Sequence, residues 1–501
     1  MRKLILILAA ASIAASPFVY AQGAKRMPWE RKSNAAQKGE APLSDKLKSL
    51  WADPVLQEKI ALGIENNRKG DFYLTFIDQK KRPVKVDNLK VEMLRHDFLF
   101  GAQIFLLGGF NPDGKTAGSS ASNVEKKLDG LDADEKNSLY EKHFLELFNF
   151  ATVPFYWKAY EQMDGVYQFG KDVSAQGLKH MYRRPSQDAI VEFCNKNGLK
   201  MKGHTLAWYI NQHALPAWTP REGKLIEKYM CRYIDKIAER YNGDINIWDV
   251  ANESSDTQDH YKAPNYFPTD HVFKAFKEAE RAFSYNNEFI MNYTTPVWMR
   301  VARYHEYAPD YLLTSDILAR GGKLDIIGLQ LHYFKKPDRD ALMAGESWTP
   351  DELFDVLDTF SRLNKPIHIT EISFPCMAEG KVGEEKQAFL FENFYKLWFS
   401  HPKVEAITYW HFVDGTAGRE DVFNSGIFRR DFSKKPAYDV LDRLINKEWR
   451  TNLSFGKSAD EFHFRCFYGT YKVSFEHNGK KYEQTVILNK NVRKHAYITV
   501  D

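Results

Sequence analysis

Cysteine is scarce in this chain. Only Cys194, Cys231, Cys376 and Cys466 occur in 501 residues, with no CxxC spacing, which excludes a dense disulfide framework and a thiolate metal site. Four widely scattered cysteines in so large a chain are expected as buried small residues; export would permit a bridge, for which Cys194 and Cys231, on successive predicted helices, form the candidate pair. An excess of one charge is also missing. The formal net charge of +4 is too weak a bias for a nucleic-acid partner. Beyond the N-terminus no run of 18 or more consecutive apolar residues occurs, so the mature chain is not expected to insert in a membrane. No G-x-G-x-x-G follows the first strand of the central region, which argues against an open dinucleotide-binding sheet.

Core-forming material is plentiful, with 44% apolar and 14% aromatic residues. The chain is long enough for one large and one small domain. Arg2 and Lys3, an apolar run from Leu4 to Ala15, and Val19-Tyr20-Ala21 read as a signal peptide over residues 1–21. No cysteine follows to carry a lipid, so a periplasmic or secreted protein is expected. Residues 22–44, polar and basic, read as a flexible leader.

From about His96 to Tyr438, hydrophobic segments alternate with helical patterns. Strands are expected near 98–103, 150–155, 200–208, 245–250, 289–293, 326–332, 367–371 and 406–410. Asp188 to Asn197, closed by Gly198, and Lys224 to Tyr241, closed by Gly243, read as helices. Eight such repeats predict an α/β fold, a parallel (β/α)8 barrel over residues 96–446. On its flanks, residues 45–95 are expected as an N-terminal β segment and 447–501 as a C-terminal one. Each has too few strands to bury a core alone, so the two should combine into a small accessory β-sandwich. The Gly/Ser/Asn-rich stretch from Leu106 to about Asp134 is a long first βα loop, placed to shape a cleft at the barrel mouth.

Two predicted strands end in glutamate. The fourth runs into Trp248-Asp249-Val250-Ala251-Asn252-Glu253 and the seventh into Ile367-His368-Ile369-Thr370-Glu371. Ends of strands four and seven face each other across the mouth of a barrel, and a facing carboxyl pair is the equipment for cleaving a glycosidic bond. One member must deliver a proton while the other stays ionised. His332 lies two residues beyond Gln330, so both side chains leave one face of their strand, and His332 is placed to donate to Glu371. Trp208 and Trp410 offer flat apolar faces to sugar rings.

Gly203-His204-Thr205-Leu206-Ala207-Trp208, Trp248 to Glu253, Ile327-Gly328-Leu329-Gln330-Leu331-His332, Ile369-Thr370-Glu371, Thr408-Tyr409-Trp410 and Lys435-Pro436-Ala437-Tyr438 occur in one order. In this the chain resembles glycoside hydrolase family 10, the retaining endo-1,4-β-xylanases, over about His96 to Leu444. The resemblance implies Glu253 as acid/base and Glu371 as nucleophile. His204, Asn252, Gln330, His332 and Trp410 would hold the sugar beside the bond being cut, with Trp208 a further substrate contact. It implies a polysaccharide or oligosaccharide partner and no metal or organic cofactor. Departures stand out as well. Val153-Pro154-Phe155-Tyr156-Trp157 replaces a family segment of acidic, amide and lysine groups, and a sugar-binding wall cannot lose so many hydrogen-bonding groups and keep its specificity. Ser373 stands where the family commonly has the Asp that supports His332. Asp414 to Gly418 replaces a second tryptophan. The expected activity is therefore an exported retaining hydrolase of a β-linked plant or algal glycan, with xylan first by resemblance and a non-xylan glycan next. A non-catalytic carbohydrate-binding protein on the same scaffold is the alternative from another class, though binding alone has no need of paired carboxyls. Oligomeric state is not specified by the sequence.

Overall fold

The computed structural model describes residues 43–110, 130–172, 178, 181, 183–208, 214–255, 268, 270–378, 380–417, 420–421 and 424–500. The expected signal peptide, nearly all of the leader, and residues 111–129 of the first βα loop lie outside them.

Eight parallel strands close into a barrel in the order β10-β3-β4-β5-β6-β7-β8-β9. They are β3 (Leu99–Gln103), β4 (Phe150–Pro154), β5 (Lys200–Ala207), β6 (Ile247–Asn252), β7 (Glu288–Tyr293), β8 (Ile326–His332), β9 (Ile367–Ser373) and β10 (Val404–Tyr409). Their near-continuous burial is what a parallel sheet covered on both faces requires. Leu99, Phe150, Ile247, Ile290, Ile326 and Ala406 form a separate apolar cluster that fills the barrel floor. Alternate residues above this floor share its face. Ile290 is followed by Asn292, and Ile326 by Gly328, Gln330 and His332, so polar side chains rise toward the C-terminal mouth. The expected helices appear at Gln187–Lys196, capped by Ser186, and Gly223–Tyr241. The turn after the first uses Gly198 at φ +61°, a left-handed conformation that suits glycine.

The flanks interleave. β1 (Lys69–Ile77) lies between β12 (Glu461–Phe467) and β15 (His495–Thr499), while β2 (Asp87–His96) lies between β11 (Asn452–Phe455) and β13 (Gly469–His477), which pairs onward with β14 (Lys480–Leu488). Each sheet thus takes one interior strand from the N-terminal flank and the rest from the C-terminal flank. Their apolar faces meet through Phe76 on Phe475, at 4.7 Å between ring centroids, and Phe455 on Phe462, at 5.2 Å. Asn478 and Gly479, both at positive φ, turn β13 into β14 as a tight hairpin.

The expectation of a β segment from residue 45 needs correction. Residues 45–68 form two helices, α1 (Asp45–Trp51) and α2 (Pro54–Arg68). Ser44 caps the first, and Asp53 caps the second ahead of Pro54 in its first turn. Both pack on the barrel, and α2 also reaches the sandwich, where Arg465 of the C-terminal flank donates to Glu65 at 2.6 Å. Arg68 ends α2 with its guanidinium donating to the carbonyls of Phe399, His401 and Val404, and Asn67 donates to Ser400 at 2.8 Å. All four cysteines are free thiols, Cys194 and Cys231 included.

Candidate active site

Glu371 sits near the end of β9, buried to 3% exposure. Its Oε1 accepts from Asn292 Nδ2 at 2.8 Å and Gln330 Nε2 at 3.1 Å, and Oε2 lies 3.3 Å from His332 Nε2. His204 Nδ1 stands 3.8 Å from Oε1. Glu253 follows β6 directly, at φ +59°, a left-handed backbone uncommon outside glycine. Its N–H donates to the Asn292 carbonyl at 2.8 Å, which ties the turn to the next strand. Its side chain accepts from Trp208 Nε1 and from Gln330 Nε2, each at 3.1 Å.

Gln330 Nε2 therefore touches both carboxylates. Two 3.1 Å contacts from one nitrogen limit the separation of these two oxygens to twice 3.1 Å, or 6.2 Å. Gln330 is anchored in turn, its backbone carbonyl accepting from Trp298 Nε1 at 2.8 Å. Asn252 Oδ1 accepts from Asn292 at 2.8 Å, and Thr370 donates to Asn292 Oδ1, which fixes the orientation of that amide. Gly328 makes room for this arrangement. A Cβ there would stand 2.9 Å from Asn292 Oδ1 and 2.7 Å from the Ile290 side chain.

His204 is held from below. Asp249 Oδ2 lies 2.7 Å from His204 Nδ1 and 2.7 Å from Lys202 Nζ, with Asp249 and Lys202 both fully buried. Burial raises the Asp249 carboxyl, but the Lys202 ammonium and the His204 bond outweigh it and hold it below the usual carboxylate range. The ionised Asp249 can only accept, so His204 Nδ1 donates to it. His332 Nδ1 lies 2.9 Å from Ser373 Oγ, and its backbone N–H donates to Thr295 Oγ1 at 2.7 Å. A hydroxyl thus occupies the place where the family commonly puts a carboxylate. Trp410 stands edge-on to His204, 5.4 Å between centroids, and donates to Glu420 Oε2 at 3.3 Å.

The structure accordingly brings together Glu253, Glu371, His204, Trp208, Asn252, Gln330, His332 and Trp410. The family model of glycosyl hydrolase family 10 matches residues 137–443, more than half of the chain. The chain belongs to glycosyl hydrolase family 10. It is 26% identical over 314 residues to anti-sigma-I factor RsgI6 of Acetivibrio thermocellus, covering 60% of this chain and 36% of that protein. It is 25% identical over 282 residues to endo-1,4-beta-xylanase B of Thermotoga neapolitana, covering 54% of this chain and 76% of the relative. The chain thus spans about a third of the first relative and three quarters of the second. Among solved structures, native xylanase 10B from Thermotoga maritima superposes with a TM-score of 0.51 at 20% identity, covering 70% of this chain and 96% of that one.

Within this family 10 barrel, several residues of the site escaped the sequence reading. Asn292 was readable only as one amide ending an otherwise apolar strand. Lys202, inside the expected strand 200–208, had no role assigned, and Asp249 was read only as a member of the motif Trp248 to Glu253. Of the divergent segment that ends β4 and follows it, Val153 and Phe155 are buried in the core, Phe155 against Trp248 and Tyr241. Tyr156 alone turns to the site, its ring 5.4 Å from that of His204 and 5.6 Å from that of Trp208. Asp414, in place of the second tryptophan's segment, is buried beside Lys435 at 3.2 Å and accepts from the Gly426 N–H.

Proposed function

We propose that the protein is an exported, retaining glycoside hydrolase of β-linked polysaccharides or oligosaccharides, with Glu371 as nucleophile and Glu253 as acid/base. The observation that carries this reading is the Gln330 bridge. Retaining enzymes hold their carboxyl groups about 5–5.5 Å apart and inverting ones about 6.5–9.5 Å, to leave room for a water. The 6.2 Å ceiling between the bridged oxygens supports the former.

The surroundings of the two carboxyls support the division of labour. Glu371, with Asn292 and Gln330 donating to one oxygen and His332 beside the other, is held in place for attack on the anomeric carbon. Glu253 is the less buried of the pair, which suits a group that protonates a leaving oxygen and then activates water. Asn252 Oδ1 is occupied within the network, which leaves its Nδ2 for a sugar hydroxyl. His204 and Trp410 close the same side, and Trp208 supplies a further aromatic face. The chemistry needs only these side chains and water. Export rests on the apolar run from Leu4 to Ala15; among the described residues no helix is long and apolar enough to cross a membrane.

Xylan is the substrate the family points to, and the segment after β4 favours a second reading, a different or more decorated β-glycan. The test begins with the stereochemistry of the first-formed product, followed by proton NMR, where retention is expected and inversion would sink the assignment. Glu371→Ala should abolish turnover on every substrate. Glu253→Ala should spare aryl glycosides with good leaving groups and regain rate with azide. Equal losses on activated and natural substrates, with no azide effect, would reverse these roles. For the choice of glycan, plain xylohexaose is expected to be a poor substrate in a kcat/KM panel of oligosaccharides. Its cleavage ahead of all others would restore xylan.

A further inference from the structure

Two neighbouring arginines at the rim of the mouth are treated differently by the fold. Arg183 is neutralised, its Nη1 lying 2.8 Å from Glu420 Oε2, the carboxylate that also accepts from Trp410. Burial raises the Glu420 carboxyl, but Arg183 and His411 outweigh this and keep it well below the usual range. Among the described residues Arg184 has no such partner. Its guanidinium lies 3.6 Å from the ring centroid of Tyr156 and 5.3 Å from that of Phe105, and among the described residues it donates from Nη1 to the Arg183 carbonyl at 2.7 Å. Among the described residues no carboxylate forms an ion pair with it.

This cation lies half-buried beside the rings that surround the carboxyl pair. The Tyr156 ring on which it lies faces the rings of His204 and Trp208, and Trp208 donates to Glu253. Phe105, its other neighbour, is 5.2 Å from Trp410. One aromatic ring therefore separates Arg184 from the groups around the two glutamates. A guanidinium drawn into an aromatic corner loses hydration, and without an anion nothing protein-borne repays that loss in full. Burial pulls Arg184 below its usual value, neighbouring Arg183 adds to this, and Glu420, the carboxylate paired with Arg183, offsets it only in part. Stacking on Tyr156 recovers part of the cost and leaves the flat fork of N–H donors for an oxyanion, which it binds through two parallel bonds.

We propose that Arg184 is a specificity residue that receives an anionic substituent, the carboxylate of a uronic acid or a sulfate ester, on a sugar next to the bond being cleaved. This rests on the reading of the mouth as a glycan site. It gives the divergent segment after β4 a positive role: Tyr156 replaces neutral-sugar contacts with a platform for a cation. The substrate class is then an acidic β-glycan rather than a plain neutral chain.

The test is calorimetric binding to the Glu371→Gln protein, which removes turnover from the readout. Two matched pairs of probes distinguish the anion: a xylo-oligosaccharide with and without a glucuronic acid branch, and a sulfated β-linked galacto-oligosaccharide with and without its sulfate. One charged member is expected to bind about tenfold or more tightly than its neutral partner, the range of a charge-assisted bond, with the excess shrinking in salt. Adding Arg184→Gln should erase the excess while leaving neutral affinities unchanged. Arg184→Lys, which keeps the charge without the fork, should retain only part of it. Equal binding of charged and neutral members, or loss of both alike in Arg184→Gln, would overturn the proposal and leave Arg184 as packing on Tyr156. With the unsubstituted enzyme, whose turnover of the same probes is measured in parallel, hydrolysis of neutral and charged chains at equal rates would likewise refute it while sparing the hydrolase reading. A charge preference without hydrolysis would do the reverse.

Discussion

Asn292 ties the two glutamates' strands into one unit: its Nδ2 reaches Glu371 and Asn252, and its carbonyl holds the N–H of Glu253. Removing a neutral donor from a buried carboxylate costs roughly 1.5–3 kcal/mol, so Asn292→Ala should lower kcat on the order of tenfold to a hundredfold with KM little changed. Asn292→Asp should be worse, because it sets a second carboxylate against Glu371. Steady-state kinetics on one aryl glycoside decides the order, and an Asp variant as active as Ala would show that the amide only fills space. This residue also marks the limit of legibility at the scale of single side chains. Glu253, Glu371, His204, Gln330 and His332 stood in recognisable motifs, whereas Asn292, Tyr156 and Arg184 owe their places to neighbours distant in the chain. Ser373 was readable as a missing carboxylate, but not as a hydroxyl still 2.9 Å from His332.

The strands and several helices were legible as elements because burial on both faces leaves long apolar runs, and because caps and glycines punctuate them. Helices α1 and α2 were missed although Ser44 and Asp53-Pro54 announce them, since their apolar residues are sparse and α2 has one narrow buried stripe, Leu56 and Ile60. What fastens α2 is its final residue. Burial draws the Arg68 guanidinium down to about 9, and the group donates to three backbone carbonyls, of which that of His401 also accepts from the Val404 N–H at 3.2 Å. Arg68→Leu should lower unfolding stability by roughly 2–4 kcal/mol, read from denaturant midpoints, because three buried carbonyls lose a charged donor. A change within a few tenths of a kcal/mol would mean that α2 docks by apolar contact alone. Deleting residues after Lys447 would strip β1 and β2 of every neighbour in their sheets, exposing Phe72, Leu74 and Phe76, and should lower Tm. A truncated chain melting with the full one would show that the sandwich adds nothing to the barrel.

The molecule as a whole carries two buried histidines, His96 at the end of β2 and His368 in β9, that burial first, and then the nearby Arg450 and Lys202, push down to about 3. Free of the fold each would titrate near 6.5. Between those values the unfolded chain binds protons that the folded one refuses, so stability is present at neutral pH and is lost progressively as pH falls from about 6.5 toward 3. Thermal melts should therefore show Tm falling over that window. His96→Asn with His368→Asn should start lower at pH 7 but fall less steeply; identical slopes would assign the acid sensitivity to other groups. The interleaved flanks have a further consequence, for synthesis. β1 and β2 are the first strands to leave the ribosome and the last to be satisfied, since Thr75, bonded to Glu461, waits 386 residues for its partner. Until then both strands travel with open edges and an apolar face, a template for pairing with other chains. A ribosome that stalls late on this message releases no shortened enzyme but an aggregation seed, and yield in a foreign host should depend on how well those two strands are chaperoned while the barrel is being made.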